Sequence, residues 1–282
     1  MTATTAPVRL GGRGLRHELR AVRVVWHRDL LRFRTDRGRI LSSFAQPLLF
    51  LFVLGQGLGA TLPVGTFGDA GYSTFLFPGV LATSVMFTAV FSAISIVWDR
   101  ELGFLREMLV APVGRTSIVL GKALGGATVA TLQSVVLLAL AGLVGVPYDP
   151  VMMLGTVGLL FVVAFAITAL GLVIAVRVDQ IQTVMPRVQL LLAPLMFLSG
   201  AFFPVSGQLP GWLHALALAN PITYGVDAVR RVVLSRVDPS IGDSVALHWG
   251  SWPVPVWLDV VLVAGVGGVL LAVAAWMFSR PE

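Results

Sequence analysis

The sequence predicts an all-α integral membrane protein with six transmembrane helices, and three observations carry that expectation. Of the 282 residues, 56% are hydrophobic and only 12% are charged, about half the charged share of an ordinary soluble domain. The apolar residues gather into runs of about 20, the length an α-helix needs to cross a bilayer. The basic residues collect in alternate connections between those runs. Cysteine is absent, which excludes disulfides, thiol catalysis and thiolate metal sites.

Residues 1–13 are small, polar and glycine-rich, and the sequence predicts disorder there. Residues 1–39 contain ten arginines against only Glu18, Asp29 and Asp36. Between Gly14 and Arg34, Leu15, Leu19, Val22, Trp26, Leu30 and Phe33 recur at steps of three and four, so residues 14–36 read as an amphipathic helix. A basic helix with a tryptophan on its apolar side suits the membrane interface. The alternative is a solvated helix whose charges only set topology. The first long apolar run begins near Ile40, after this basic arm, and so does not read as a signal peptide.

Residues 37–282 then read as a six-span domain, with spans at about 40–60, 75–97, 118–144, 151–176, 188–203 and 256–278. Pro47 stands near the start of the first, with Gly55 and Gly59 near its outer end; Pro194 interrupts the fifth and Pro204 ends it. The N-terminal arm, residues 98–117, residues 177–187 and the C-terminus carry Arg or Lys, whereas 61–74 and 145–150 carry neither. The positive-inside rule therefore expects both chain termini in the cytoplasm. Residues 204–255 fall outside despite Arg230, Arg231 and Arg236, which long translocated segments tolerate. Within them, Leu209–Ala219 is too short to span and reads as a re-entrant or interfacial helix. Asn220 and Pro221 read as N-cap and first residue of a helix over 221–236. Its Asp227 lies three and four residues from Arg230 and Arg231, on what reads as a solvated face.

The spans hold amides and hydroxyls such as Gln46, Thr88, Gln133 and Ser199, but ionisable groups stand only near their ends, as Lys122 and Asp259 do. A proton- or sodium-coupled carrier keeps a buried carboxylate or histidine as its coupling group, and none is expected here. Gly114 and Gly121-Lys122 fail as a phosphate loop, because six residues separate the glycines and Ala123 replaces the required hydroxyl. The chain has no HExxH or GxSxG motif. The four histidines have no ligand spacing. No catalytic site, metal or resident cofactor is expected.

Residues 98–112 interrupt the apolar pattern with Asp99, Arg100, Glu101, Arg106 and Glu107. They read as a short helix: Asp99 and Glu101 in the first turn favour the dipole, Leu102, Leu105 and Leu109 share a face, and Pro112 stops it. Thr116 or Ser117 can cap the next helix. Such a helix either docks on a soluble partner or lies on lipid.

The run WDRELGFLREMLVAPVGRTSIVLGK, Trp98–Lys122, resembles the signature of ABC type-2 transporter permeases, particularly the daunorubicin-resistance and nodulation-export branch. Pro194–Trp212, PLMFLSGAFFPVSGQLPGW, and Asn220–Arg230, NPITYGVDAVR, match the same pattern in order and spacing. The resemblance implies a six-span permease that works as a homodimer or close heterodimer in the bacterial cytoplasmic membrane. Two copies of a separate cytoplasmic ATPase subunit would bind ATP and Mg. By the resemblance, residues 98–112 form a coupling helix, with Asp99, Arg100, Glu101, Phe104, Leu105, Arg106, Glu107 and Met108 touching the ATPase. Residues 14–34 form the interfacial connecting helix, and outer re-entrant helices over 204–236 close the exit. Spans one, two and five line the path, with Gln46, Met86, Ser199, Phe202 and Phe203 as lining candidates. The implied function is ATP-driven export of a hydrophobic or amphiphilic molecule, drug or lipid-like, with lipids but no nucleic acid as further partners. The rival readings are a non-transporting scaffold or sensor that docks a soluble partner, and an ion-coupled secondary transporter.

Overall fold

The computed structural model describes residues 14–63, 71–104, 108, 113–205, 209–237 and 245–280. The expectation of disorder over 1–13 lies outside them, as do Leu105, Arg106 and Glu107 of the charged segment.

Six helices among the described residues are long and apolar enough to cross a membrane. Helix α1, Leu15–Thr35, precedes them. The first span runs through α2, Arg37–Leu49, a π-helical turn at Phe50–Leu54 and α3, Gly55–Gly59. Its irregularity follows from Pro47, which has no N–H for the carbonyl of Ser43 and so opens the helical ladder. That carbonyl accepts instead from Gln133 Nε2 at 3.4 Å.

Helix α4, Gly71–Glu101, is the second span and the centre of the molecule. Of its most apolar stretch 89% is buried, against 17% in the first and last spans. At 1.5 Å per residue its 31 residues reach about 46 Å, well beyond the ~30 Å hydrocarbon core. The remaining spans are α5, Arg115–Leu138, α6, Pro150–Ala175, and α7, Ile181–Leu198. The fifth span begins inside the expected polar link and runs through Pro186 and Pro194 rather than breaking. It ends at Leu198, where Ser199 Oγ turns back onto the Met196 carbonyl and Gly200 takes φ +72°.

Beyond it, α8, Gly211–Ala219, spans only about 14 Å. It turns sharply into α9, Pro221–Leu234. Asn220 is the cap the sequence predicts: its side chain accepts from Ile222 N at 3.0 Å and donates to the Leu195 carbonyl at 2.8 Å. A two-residue hairpin joins β1, His248–Trp249, to β2, Trp252–Pro253, before the last span, α10, Val256–Ser279.

The face that α1 buries is the expected one in part. Val22 is buried and Trp26, Leu30 and Phe33 are half-buried, whereas Leu15 and Leu19 are 83% and 65% exposed. Val25 and Asp29 join Val22 on the buried side, packed on α5. The approach is close because α5 presents Gly121 and Gly125. A Cβ there would lie 2.8 Å from Val25 and 2.9 Å from Asp29, the close packing that small residues four apart permit.

Candidate functional site

The charged residues at the end of α4 do not begin a new helix. The backbone stays helical through Glu101 and stops at Gly103, whose φ of +80° is the left-handed conformation that ends helices. Asp99 and Glu101 therefore stand in a last turn, where the helix dipole disfavours acids, and neighbouring groups compensate. This corrects the expectation that they open a helix.

Asp99 is only 2% exposed, so in this structure it belongs to the interior rather than to a docking surface. Its Oδ2 accepts from Lys122 Nζ at 2.7 Å and from Arg28 at 2.6 Å, and Arg32 approaches Oδ1 at 3.5 Å. Lys122 also donates to Asp29 Oδ1 at 3.1 Å and to Ser95 Oγ at 2.9 Å. Burial raises the Asp29 carboxyl above its usual range, against the pull of Lys122. This cluster ties α1, α4 and α5 together. The guanidinium of Arg32 also lies 5.1 Å above the Trp98 ring.

The next two charges bind other elements. Arg100 donates to the Val176 and Val178 carbonyls at 2.6 and 3.0 Å and pairs with Asp179, holding the end of α6. Glu101 accepts from Ile181 N at 2.8 Å and caps α7. The start of α5 is capped neither by Thr116 nor by Ser117. Glu18 of α1 receives Gly114 N at 3.0 Å and Ser117 Oγ at 2.5 Å, so a carboxylate from a neighbouring helix satisfies one free N–H at a positive helix end. Phe104 is half exposed, and Met108 receives Arg28 at its sulfur at 3.6 Å.

A cavity of about 330 Å³ opens between the first, second and third spans. Its polar lining is Ser42, Ser43, Gln46, Ser84, Thr88 and Gln133. Thr88 Oγ1 donates to Gln133 Oε1 at 2.7 Å. Ser84 is 3% exposed, yet its hydroxyl has no hydrogen-bond partner among the described residues. Of the expected lining residues only Gln46 borders this cavity. Met86 and Ser199 are buried at 0% and 1% exposure. Phe202 packs its ring on Phe50 at 5.3 Å and Phe197 at 5.9 Å, and Phe203 is half-buried.

A second buried ionic cluster stands at the opposite end. Asp227 and Arg230 are 4% and 2% exposed, correcting the expectation of a solvated face. Arg230 donates to the Gly200 and Ala201 carbonyls and lies 4.2 Å over the Phe75 ring. Burial pulls its guanidinium down to about 10. Arg231 sits 3.8 Å from Asp227 and donates to the Val254 carbonyl, while Leu247 N donates to Asp227 Oδ1 at 3.1 Å. Asp259, in the first turn of α10, lies near the span boundary as expected but is fully buried. Among the described residues, neither of its oxygens receives an N–H or hydroxyl, and the Asp227 carboxyl faces it. Sequence spacing revealed the Asp227–Arg231 pair, but nothing local placed Asp259 beside it.

A helical membrane protein with six spans, a charged hub at one end and a polar-lined cavity between the first three spans has the general form of a transport subunit. The family model described as ABC-2 type transporter matches residues 20–234. Nodulation protein J of Rhizobium leguminosarum bv. viciae is 30% identical over 215 residues, 75% of this chain and 82% of that protein. Nodulation protein J of Sinorhizobium fredii is 30% identical over 227 residues, 79% of this chain and 84% of its own length. A putative transport permease ycf38 of Pyropia yezoensis is 29% identical over 237 residues, 82% of this chain and 77% of that one. The chain belongs to the ABC-2 type transporter family. It is a multi-pass membrane transporter subunit, and membership implies an ABC ATPase partner and a dimeric arrangement in general terms.

Proposed function

We propose that this chain is the transmembrane subunit of an ATP-driven exporter in the bacterial cytoplasmic membrane. It pairs with a second copy of itself or a homologous permease and with two copies of a separate ATPase, which bind ATP and Mg. Both termini lie in the cytoplasm, and the substrate is a hydrophobic or amphiphilic molecule that leaves the inner face. The polar-lined cavity beside Gln46 is the candidate substrate site. Efflux of a drug and export of a lipid both fall within this reading.

The observation that carries the proposal is the hub at the end of α4. Three consecutive charges grip three parts of the bundle: Asp99 holds α1 and α5, Arg100 holds the end of α6, and Glu101 holds the start of α7. Residues 102–113 connect this hub in sequence to Gly114, which α1 grips through Glu18. A force applied to that segment by a soluble partner therefore reaches the second, third, fourth and fifth spans together. Rigid connections of this kind carry a conformational change between sites.

The test is reconstitution of the permease with its ATPase in vesicles. ATP-dependent movement of a fluorescent amphiphile is expected. Reversing the charge at Arg106 or Glu107 is expected to leave insertion and ATP hydrolysis intact while transport falls. Unchanged transport in both reversals, or no ATP dependence in the wild type, overturns the proposal. Asp259, a buried carboxylate within a span, favours one rival reading, ion-coupled secondary transport. Transport abolished by an uncoupler and indifferent to ATP would establish that rival.

A further inference from the structure

The cavity between the first three spans has a chemical character that the family relationship does not specify. Among the described residues, no ionisable side chain lines it. Its polar groups are hydroxyls and amides, and three phenylalanines, Phe33, Phe87 and Phe91, flank them.

Several of those polar groups are poised for a ligand. Ser84 Oγ is buried and unpartnered, a state proteins rarely tolerate. Gln133 uses its oxygen for Thr88 but holds only a long 3.4 Å contact through Nε2 to the carbonyl that Pro47 releases. The amide thus retains donor capacity. Gln46 lines the same space from an exposed position on the first span.

Depth constrains the ligand. Thr88 and Gln133 each stand eleven residues from the ion pair of Asp99 and Lys122, or about 16 Å along their helices. That is near the middle of a ~30 Å hydrocarbon core. Gln46 is exposed and Phe91 is 38% exposed at the edge of the cavity. A ligand held at this depth among apolar spans brings an apolar chain.

We infer that the cavity binds the uncharged, hydrogen-bonding head of an amphiphile, a polyol or amide group, and that Ser84, Gln46 and Gln133 select it against charged heads. This rests on the cavity being the substrate site of the proposed transporter. An ionic head at this depth would find no counter-charge among the described lining residues and would lose its hydration. An uncharged one exchanges its few hydrogen bonds to water for those of Ser84 and the two glutamines. The volume of about 330 Å³ is at the lower end of known ligand pockets, about 300–1,000 Å³, and fits a head group rather than a whole lipid.

The test is a binding competition on the purified full-length chain, without ATPase or ATP, read by native mass spectrometry. The probes are glucosyl-diacylglycerol, phosphatidylglycerol and a trimethylammonium lipid, equimolar and with identical acyl chains. Retention of the glucosyl lipid is expected to exceed that of either charged lipid by about tenfold. Ser84→Ala combined with Gln46→Ala is expected to reduce this to below about threefold. Gln46→Glu, at an exposed position that the fold tolerates, is expected to raise retention of the trimethylammonium lipid. Equal retention of all three lipids, a charged lipid preferred by the wild type, or a Gln46→Glu chain with unchanged preference overturns the inference. Displacement of the glucosyl lipid by free glucose at about a hundredfold excess also overturns it, because the site would then recognise a soluble polyol. Selective binding without ATP-driven transport would remove the proposed function and leave the selectivity; transport without selectivity would do the reverse.

Discussion

The two buried ionic clusters stand at opposite ends of the bundle and are satisfied to different degrees. Around Lys122 the ammonium meets Asp29, Asp99 and Ser95 within 3.1 Å, and one buried carboxylate oxygen, Asp29 Oδ2, lacks a partner. Around Asp227 the orphaned atoms are Asp227 Oδ2, Arg230 Nε and both oxygens of Asp259. The first cluster joins long helices where they meet the charged segment. The second joins short elements at the other end: α9, the residues flanking the hairpin and the start of α10. A saturated network resists deformation, whereas a partly satisfied one loses less on opening. If the proposed function holds, the end that receives force is the better satisfied of the two.

The largest expected effect comes from breaking the better satisfied end. Lys122→Met leaves Asp29 and Asp99 facing each other in the interior. Removing one partner of a buried pair costs about 3–5 kcal/mol. The thermal unfolding temperature in detergent is expected to drop sharply, with partial recovery when Asp29→Asn is added. A loss below about 1 kcal/mol, the range of exposed ion pairs, would show that water reaches Lys122 and would erase the contrast between the two ends.

A smaller effect is expected where α1 meets α5. Gly125→Val forces α1 away, since even a Cβ lies 2.9 Å from Asp29 Oδ2. Overpacking of this kind costs about 1–3 kcal/mol. Proteolysis of α1 in the folded protein is the measurement, and unchanged protection would mean that α1 is held by its basic residues alone.

The contrast between the two clusters also marks what the sequence could and could not disclose. Asn220-Pro221 was legible because a cap is local: the residues that make it are adjacent. The six spans were legible because bilayer thickness sets their length. The role of Asp99 was not, since Lys122 lies 23 positions away, Arg28 lies 71 away, and neither pairing has a local signature. Asp227 and Arg231 could be paired from their spacing, but their burial depends on Leu247, Val254 and Asp259. Of the cavity, Gln46 was visible as an amide in a span. Ser84 and Gln133 became neighbours of it only through the packing of three helices.

The Asp227 cluster gives a pH prediction. Burial raises the Asp227 carboxyl above its ordinary 3.8, although Arg230 and Arg231 pull it down and Asp259 faces it from α10. The folded state therefore holds this proton more tightly than the unfolded one. Its contribution is fully present below the unfolded value and is lost as pH rises through the folded one. Hydrogen exchange in residues 245–254, corrected for the chemical exchange rate, is expected to show easier opening as pH climbs from about 4. Asp227→Asn is expected to flatten that dependence. Asp259→Asn places an N–H donor beside Asp227 and removes the second carboxyl, so it is expected to stabilise this end by about 1 kcal/mol. Destabilisation by Asp259→Asn would mean that its carboxyl is needed there and that this end is as firmly built as the end around Lys122.

The smallest effect tests the hub itself. Glu101 is exposed and caps α7 through one hydrogen bond to Ile181 N. Glu101→Gln keeps an acceptor but removes the charge that favours a helix N-terminus, worth about 0.3–1 kcal/mol. Unfolding temperature is expected to change little. If the hub transmits force, the ratio of substrate moved to ATP hydrolysed in the reconstituted complex is expected to fall more than stability does, because the fifth span is then held less tightly to α4. Glu101→Ala, which removes the acceptor as well, is expected to lower that ratio further. A ratio unchanged in both variants would separate α7 from the coupling path and confine transmission to Asp99, Arg100 and the helices they hold.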